Sequence, residues 1–506
     1  MEQARFSVID STMSELAIPQ PLISHPSETS DVEKKLPICV DLDGTLVRTD
    51  TLVECALTFI RQQPARIFLL IFWLLKGKAH LKEQLALHSD LDTRALPIRE
   101  QLLSYLQAEK AAGREIFLAT AANLRLAQRV VSQVPIFSGL FASDGSTNLS
   151  GKNKLETLTG HFGERGFIYV GNSRADLAVW RRCGGAVIVE GSRNLARALG
   201  ADAPIIRIFP RETGHLKAVL REMRIYQWVK NMLVFLPLIG AHRLADPLLV
   251  GKALLAFVSF SLCASAVYTI NDLLDLKADR LHPEKRRRPL AAGDLTPQSG
   301  VLLAVGLLFT AAIPAILLSA GFSAVMACYL LLTFGYSLAF KKQPVLDVLV
   351  LAGLYTTRVF AGELATTVRV SEWLLAFSMF IFLSLSLLKR YSELVSKATQ
   401  EQVATNGRGY RVSDAGMLAT LGGAAGYIAV LVLALYINSD TVSIWYTRPR
   451  FLWLAAPVLL YWVSRMWILA GRGEVHHDPI VFSFRDRTTY VIALLIAALL
   501  VLSGPR

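Results

Sequence analysis

The sequence predicts two unlike folds in one chain, an N-terminal α/β domain followed by an all-α polytopic membrane domain. Three observations lead there. Hydrophobic residues reach 53% and charged residues only 18%, with a mean hydropathy of +0.42, too apolar for a wholly soluble protein. The apolar residues are segregated: short strand-like runs come first, and from about residue 226 long apolar blocks follow one another almost without pause. The basic residues gather in the short loops between those blocks. The 506 residues therefore do not divide into soluble domains of about 150 residues each, as length alone suggests. The formal net charge of +13 reads as anchoring at the cytosolic membrane face, and nucleic acid is excluded as a partner.

Residues 1–35 carry Glu, Asp and Pro without an apolar stretch, so they read as a flexible cytosolic tail and not as a signal peptide. Cys39, Cys55, Cys183, Cys263 and Cys328 are scattered and form no CxxC, which indicates neither disulfides nor a structural metal.

The first buried strand is expected at Ile38–Val40 in LPICVDLDGTLVRTD, after which the chain turns sharply through Asp41-Leu42-Asp43-Gly44-Thr45. Two carboxylates two residues apart at a strand's end can enter one site, although a bare DxD also serves as a polar turn. A second apolar strand, 115–119, ends in Thr120 within FLATAAN; Lys154 follows in SDGSTNLSGKNKLETL. GFIYVGNSRADLAVW then supplies a strand followed by Gly171 and Asp176. In order, spacing and strand-end placement these motifs resemble the haloacid-dehalogenase-like (HAD) phosphohydrolases, over residues 36–190.

The resemblance implies a Rossmannoid fold with a helical cap, and a role for each motif residue. Asp41 would attack a phosphate monoester and carry an aspartyl-phosphate. Asp43 would protonate the leaving alcohol and then activate water. Thr120 and Lys154 would hold the phosphoryl oxygens, and Mg²⁺ on Asp41, Asp176 and the backbone carbonyl of Asp43 would offset their charge. The family's first acidic residue of the fourth motif is Asn172 here, which offers an amide oxygen without charge. Retention of Asp176 favours an active phosphatase.

The HAD-like domain is expected over 36–210, with a cap insert at about 50–112. Within the insert, Ala65–Lys82 holds an apolar core, Ile67–Leu75, too short to cross about 30 Å of hydrocarbon. It reads as an interfacial helix with lysines at the headgroups, the alternative being a buried cap helix.

The membrane domain is expected over 215–506, with about nine spans at 226–241, 247–270, 298–318, 322–340, 345–363, 372–390, 415–437, 450–470 and 488–503. The basic stretches KADRLHPEKRRR, Lys341–Lys342, 389–411 and GRGEVHHDPIVFSFRDR all fall on one side. The positive-inside rule makes that side cytosolic, as in a bacterial inner membrane, with the HAD-like domain inside and the C-terminus outside. The paired His476 and His477 project to different helix faces and are assigned no role.

At the cytosolic end of the second span stands AVYTINDLLDLKADRLHPEKRRRPLAAG. On a continuous helix, Asp272, Asp275 and Asp279 at i, i+3 and i+7 share one face, and three such carboxylates call for cations. Mg²⁺ held this way is completed by substrate phosphates. NDxxDxxxDR followed by HPxKRxRP resembles the UbiA prenyltransferase superfamily, whose fold is a bundle of nine helices around a cavity. Its second motif, DxxxD, is incomplete here: Asp347 is present, but Leu351 stands at i+4.

YSxxxKxxxxxDVxxLA, YQWVKNMLVFLP and SLLKRYSEL point within the superfamily to the branch resembling decaprenyl-phosphate phosphoribosyltransferases. That resemblance implies phosphoribosyl pyrophosphate (PRPP) as donor and a polyprenyl phosphate as acceptor. Asn271, Asp272, Asp275 and Asp279 would hold Mg²⁺ on the leaving diphosphate. Lys230, Asn231, Lys285, Arg288, Tyr336, Lys341, Lys342 and Arg358 would bind phosphates or flank them, and Asp347 a ribose hydroxyl or second metal. The basic residues also suit membrane-edge anchoring, except Arg358, which falls inside a span. The product would be a 5-phosphate monoester, a substrate for the HAD-like domain. The expectation is therefore a bifunctional enzyme. The alternatives are prenyl transfer to an aromatic or lipid acceptor, and a regulatory, non-catalytic HAD-like domain.

Overall fold

The computed structural model describes residues 36–144, 148–190, 193–200, 202–398, 409–439, 442, 446–475 and 478–504. The predicted tail and His476–His477 lie outside these residues.

Six strands, β1 (Ile38–Val40), β2 (Ile116–Asn123), β3 (Gly139–Ser143), β4 (Ile168–Gly171), β5 (Gly185–Val189) and β6 (Ile205–Phe209), form one parallel sheet in the order β3-β2-β1-β4-β5-β6. β1, β4 and β5 are buried at every residue, because helices cover both faces of a parallel sheet. The order reverses between β1 and β4, and the crevice beyond their carboxyl ends is where open α/β sheets bind ligands. Asp41 and Asp43 leave β1 there, and Asn172 and Asp176 follow β4. This parallel sheet, with the motif residues at its strand ends, has the arrangement that the HAD-like resemblance implies.

Between β1 and β2 lie the helices Thr51–Gln62, Phe68–Leu75, Lys78–His88 and Glu100–Ala111. Asp50 caps the first by accepting from the amides of Leu52 and Val53. The apolar core expected at 67–75 forms the helix Phe68–Leu75, and Gly77, whose φ of +108° suits glycine alone, separates it from the next helix. In Phe68–Leu75 only Trp73 is buried, against Phe59, while Phe68, Ile71, Phe72, Leu74 and Leu75 are exposed. A cap helix packed in a core would not leave this face open, so the exposure accords with the interfacial reading.

Among the described residues seven helices are long and apolar enough to cross a membrane: Pro247–Leu274, Pro297–Leu318, Ala320–Leu338, Leu346–Thr366, Glu372–Ser396, Val412–Ile437 and Pro449–Gly471. The protein is a multi-pass membrane protein. Two of the expected spans differ. The first is a 3₁₀ segment, Ile225–Phe235, running into the short helix Leu236–Gly240, and the last, Arg487–Leu502, has 16 residues. At about 2.0 Å per residue a 3₁₀ segment climbs faster than an α-helix, which lengthens the reach of a short sequence. Its backbone is tightly packed: a Cβ at Gly362 would lie 2.1 Å from the Val234 carbonyl oxygen.

The soluble domain docks on the end of the bundle that carries the aspartate string. Glu54 of the Thr51–Gln62 helix accepts two hydrogen bonds from Arg280, at 2.5 and 3.2 Å, and one from Thr49 at 2.7 Å. Leu57 of the same helix packs on Leu273, Leu276, Leu290 and Leu295. Thr213, Arg211 and Arg221 converge on Asp294.

Two candidate active sites

In the soluble domain the sheet brings Asp41, Asp43, Thr120, Lys154 and Asp176 together. The Lys154 ammonium donates to Asp41 Oδ1 at 2.8 Å and to the Tyr169 hydroxyl at 3.0 Å. Tyr169 in turn donates to Asp176 Oδ1 at 2.9 Å. Asp176 Oδ2 accepts from the amides of Asn172 and Ser173 and from the Ser173 hydroxyl. Burial pushes the Asp41 carboxyl up; Lys154 opposes the shift and the neighbouring Asp176 charge adds to it. Thr120 is fully buried at the end of the apolar part of β2, its hydroxyl accepting from the Ala122 amide at 3.0 Å.

Asp43 is held differently. Its Oδ1 accepts the Thr51 amide at 2.8 Å, the first residue of the cap helix. Burial, reinforced by the adjacent Asp50 carboxylate, pushes its pKa up to about 7. A carboxyl that still carries a proton near neutral pH can donate to a leaving alcohol, while its neighbour Asp41 faces a lysine. Gly44 has φ +72°, and a Cβ there would come within 2.3 Å of the Asn172 amide nitrogen, so Asn172 presses against the turn that carries Asp41 and Asp43.

Lys82 and Tyr169 carry no sequence signal as site residues. Lys82, from the cap, donates to the Ala121 carbonyl at 2.7 Å and to Asn148 at 3.0 Å, and burial lowers its pKa. Tyr169 is hidden because an aromatic residue in a buried strand reads as core.

In the membrane domain the helix does not run through the aspartate string. It ends at Leu274 and restarts at Leu276, with Asp275 at the junction in a non-helical conformation, φ −100° and ψ +12°. The expected single face is therefore split. Asp272 and Asp279 converge on one Arg288 nitrogen, at 2.9 and 2.6 Å, and Arg224 also pairs with Asp272. Asp275 instead faces Arg61 at 3.4 Å and Lys341 at 4.0 Å, and Lys285 lies 3.9 Å from Asp279. Asn271 accepts the Asp275 amide on its backbone oxygen at 2.9 Å. Among the described residues no three acidic, His or Cys side chains converge as a metal cluster. Basic side chains supply the positive charge that the three carboxylates require.

Glu222, just ahead of the bundle, is buried, and among the described residues neither of its carboxyl oxygens is hydrogen-bonded in normal geometry. Burial and the Asp272 charge push its pKa up to about 8.

The remaining predicted residues fall into two buried networks. In one, Lys230 and Lys389 donate to Asp478 Oδ2 at 2.7 and 2.8 Å. Burial works against the Asp478 charge, yet Lys389 and Lys230 outweigh it and hold the carboxyl well below its ordinary range. Asn231 receives Arg358 Nε at 2.8 Å and donates to Ser261 at 2.9 Å; Arg358 also reaches the Tyr329 hydroxyl at 3.2 Å. In the other network Arg390 donates to Asp347 at 2.6 Å, to Tyr336 at 2.6 Å and to Glu393, while Tyr410 donates to Asp347 at 2.5 Å. Leu351, where the second motif lacks its aspartate, lines a small cavity with Tyr355, Lys389 and Asp478. Lys342 is exposed. Arg61, Arg224, Asp478, Lys389 and Arg390 were not singled out in the sequence; Asp478 stands in the string to which no role was given, and Arg390 inside the SLLKRYSEL motif.

Residues 232–484 match the model of the UbiA prenyltransferase family. The chain is 37% identical over 473 residues to the uncharacterised protein y4nM of Sinorhizobium fredii, covering 93% of this chain and 92% of that one. It is 39% identical over 180 residues to the decaprenyl-phosphate phosphoribosyltransferase of Mycobacterium tuberculosis, covering 35% of this chain and 60% of the relative. A UbiA homologue from Archaeoglobus fulgidus, solved with GPP and Mg²⁺, aligns over 56% of this chain and 99% of its own at 18% identity, with a TM-score of 0.42. The protein belongs to the UbiA prenyltransferase family.

Proposed function

We propose that the protein transfers 5-phosphoribose from PRPP to a polyprenyl phosphate and then removes the 5-phosphate. The observation that carries this reading is the Thr51–Gln62 helix. Its first amide binds Asp43 of the phosphatase-like site, and its last turn places Arg61 on Asp275 and on the Leu274 carbonyl. Twelve helical residues span about 18 Å, so a product made at one site is presented close to the other. The similarity to a decaprenyl-phosphate phosphoribosyltransferase, together with Leu351 in place of the second motif's aspartate, favours PRPP over an isoprenoid diphosphate as donor.

In the transfer step a lipid phosphate oxygen forms the new bond to C1 of the ribose. The bond from C1 to the diphosphate breaks, and its electron pair leaves with the diphosphate. Arg288, Arg61 and Lys341, now paired to the aspartates, would turn to the departing phosphate oxygens. Asp272 and Asp279, which converge on Arg288, offer the hard oxygen donors that Mg²⁺ takes and would hold it on the diphosphate, whose charge it would neutralise; Asp275, turned to Arg61 and Lys341, stands apart from them.

In the hydrolytic step Asp41 attacks phosphorus while Asp43 gives its proton to the ribose 5-oxygen; Asp43 then takes a proton from the water that releases phosphate from Asp41. Lys154 and Thr120 hold the transferred oxygens. Asp41 and Asp176, two buried carboxylates with one lysine between them, leave room in charge for Mg²⁺. The HAD-like domain would lie in the cytosol.

Purified full-length protein given PRPP, Mg²⁺ and decaprenyl phosphate should yield a lipid-linked ribose and free phosphate in addition to diphosphate. An Asp41→Asn variant should stop at the 5-phosphate lipid. If wild type and variant both accumulate that species without phosphate release, the phosphatase half is wrong; labelled product from an isoprenoid diphosphate alone would overturn the donor.

A further inference from the structure

Beside the aspartate string opens a cleft of about 850 Å³ whose walls differ in character. One wall is the His215–Glu222 helix and the chain that follows it to Gln227; the other is Arg287–Pro289, with the buried Asp272 between them. Five cations, Lys217, Arg221, Arg224, Arg287 and Arg288, line it against the single acid Asp272. Arg224 and Arg288 are spent on Asp272. Arg221 is anchored to the Arg287 carbonyl at 2.7 Å and to Asp294. Lys217 and Arg287 are exposed and, among the described residues, take part in no ion pair. The cleft thus holds positive charge that the protein itself does not neutralise.

Its lip is apolar. Leu216, Leu220, Ile225 and Tyr226 all line the cleft and are 71%, 44%, 43% and 58% exposed. Four large apolar side chains side by side on an open surface mark a place where another apolar body lies. Here the chain is about to enter the membrane-embedded segment, so that body is a hydrocarbon chain at the bilayer edge. A soluble phosphate needs the cations and has no use for the lip. A neutral lipid needs the lip and leaves Lys217 and Arg287 without counter-charge.

We propose that this cleft is the acceptor subsite. It takes a lipid phosphate monoester, with the phosphate on Lys217, Arg287 and Arg221 beside Asp272, and the chain leaving over Leu216, Leu220, Ile225 and Tyr226. The inference rests on the transferase reading and adds to it where the nucleophile waits: next to the carboxylates that would hold the leaving diphosphate. Near neutral pH a phosphate monoester carries close to two negative charges, which suits two unpaired cations and one arginine.

The test is equilibrium binding of decaprenyl phosphate to the full chain in detergent without PRPP, followed by the KM for each substrate. Decaprenyl phosphate should bind at least tenfold tighter than decaprenol or inorganic phosphate. Lys217→Ala combined with Arg287→Ala should weaken it tenfold or more and raise the acceptor KM in proportion, with the KM for PRPP within twofold of wild type. Arg287→Lys should restore most of the binding to a chain that keeps Lys217. Both residues lie on the surface and, among the described residues, outside any ion pair, so the fold tolerates their replacement. Unchanged decaprenyl phosphate binding in the double variant, or inorganic phosphate binding as tightly as the lipid, would overturn the proposal. So would a matching rise in the KM for PRPP. Failure of the transferase reading looks different: no turnover with PRPP in the wild type, while lipid binding still depends on Lys217 and Arg287.

Discussion

Arg61 belongs to the soluble domain and Asp275 to the membrane domain, and they face each other at 3.4 Å, with a second Arg61 nitrogen on the Leu274 carbonyl at 2.9 Å. Both side chains are partly open to solvent, so the pair adds little to stability, about 0–1 kcal/mol. Its position gives it another use: a cation delivered by one domain to the carboxylates at which the other would hold a diphosphate.

Arg61→Ala should accordingly leave the thermal midpoint within a degree or two of wild type while lowering the rate of transfer. Loss of one charge-assisted contact to a phosphate corresponds to about tenfold in kcat/KM, or ~1.4 kcal/mol. Steady-state transfer kinetics check this, and unaltered kinetics would reduce Arg61 to a tether.

Glu54 and Arg280 form the buried counterpart of that contact. Removing one partner of a buried pair strands the other charge, at a cost of about 3–5 kcal/mol. Glu54→Ala should loosen the docking of the domains, seen as faster proteolysis of the connection around 210–214. Replacing Glu54 and Arg280 together by Met should recover much of the resistance. In Glu54→Ala, phosphate release should lag behind lipid-linked ribose formation.

The pKa of Asp43 makes a signed prediction. Its acid form persists up to about pH 7, so phosphate release should fall as pH rises through that value. Asp50→Asn keeps the helix cap and removes the repelling charge, so the alkaline limb should move to lower pH. The folded-state value lies above the ordinary 3.8, so the fully protonated carboxyl costs nothing at low pH. The domain then loses stability as pH climbs from about 4 to about 7. Asp43→Asn should raise the thermal midpoint more at pH 8 than at pH 5.

Asp478 neutralises both Lys230 and Lys389 in a buried setting. Asp478→Ala should cost about 3–5 kcal/mol, measured as thermal unfolding in detergent. A double variant, Asp478→Ala with Lys230→Met, should regain part of it, because one stranded charge is gone.

The sequence by itself determined the two-part architecture. Apolar block length separates membrane helices from strands, and the DxDGT and NDxxDxxxD strings place acidic residues where a strand or helix ends. Local spacing sufficed to place Asp41 and Asp43 at a strand's end and Asp272 near a helix's end, because each stands in or beside the element that positions it. It misled at Asp275, where continuous helical periodicity was assumed and the helix instead breaks. It also overestimated the first span, which is 3₁₀ over most of its length. Tertiary structure alone decided the rest. Asp478 meets Lys230 across 248 positions and Glu54 meets Arg280 across 226. No local pattern encodes such pairs, since the energy that selects them appears only when both charges leave water together. The same holds for the cleft beside Asp272. Arg287 and Arg288 belong to a basic stretch that reads as membrane anchoring, while Lys217, Arg221 and Arg224 lie far from it in the chain, and only folding sets the unpaired ones together against an apolar lip.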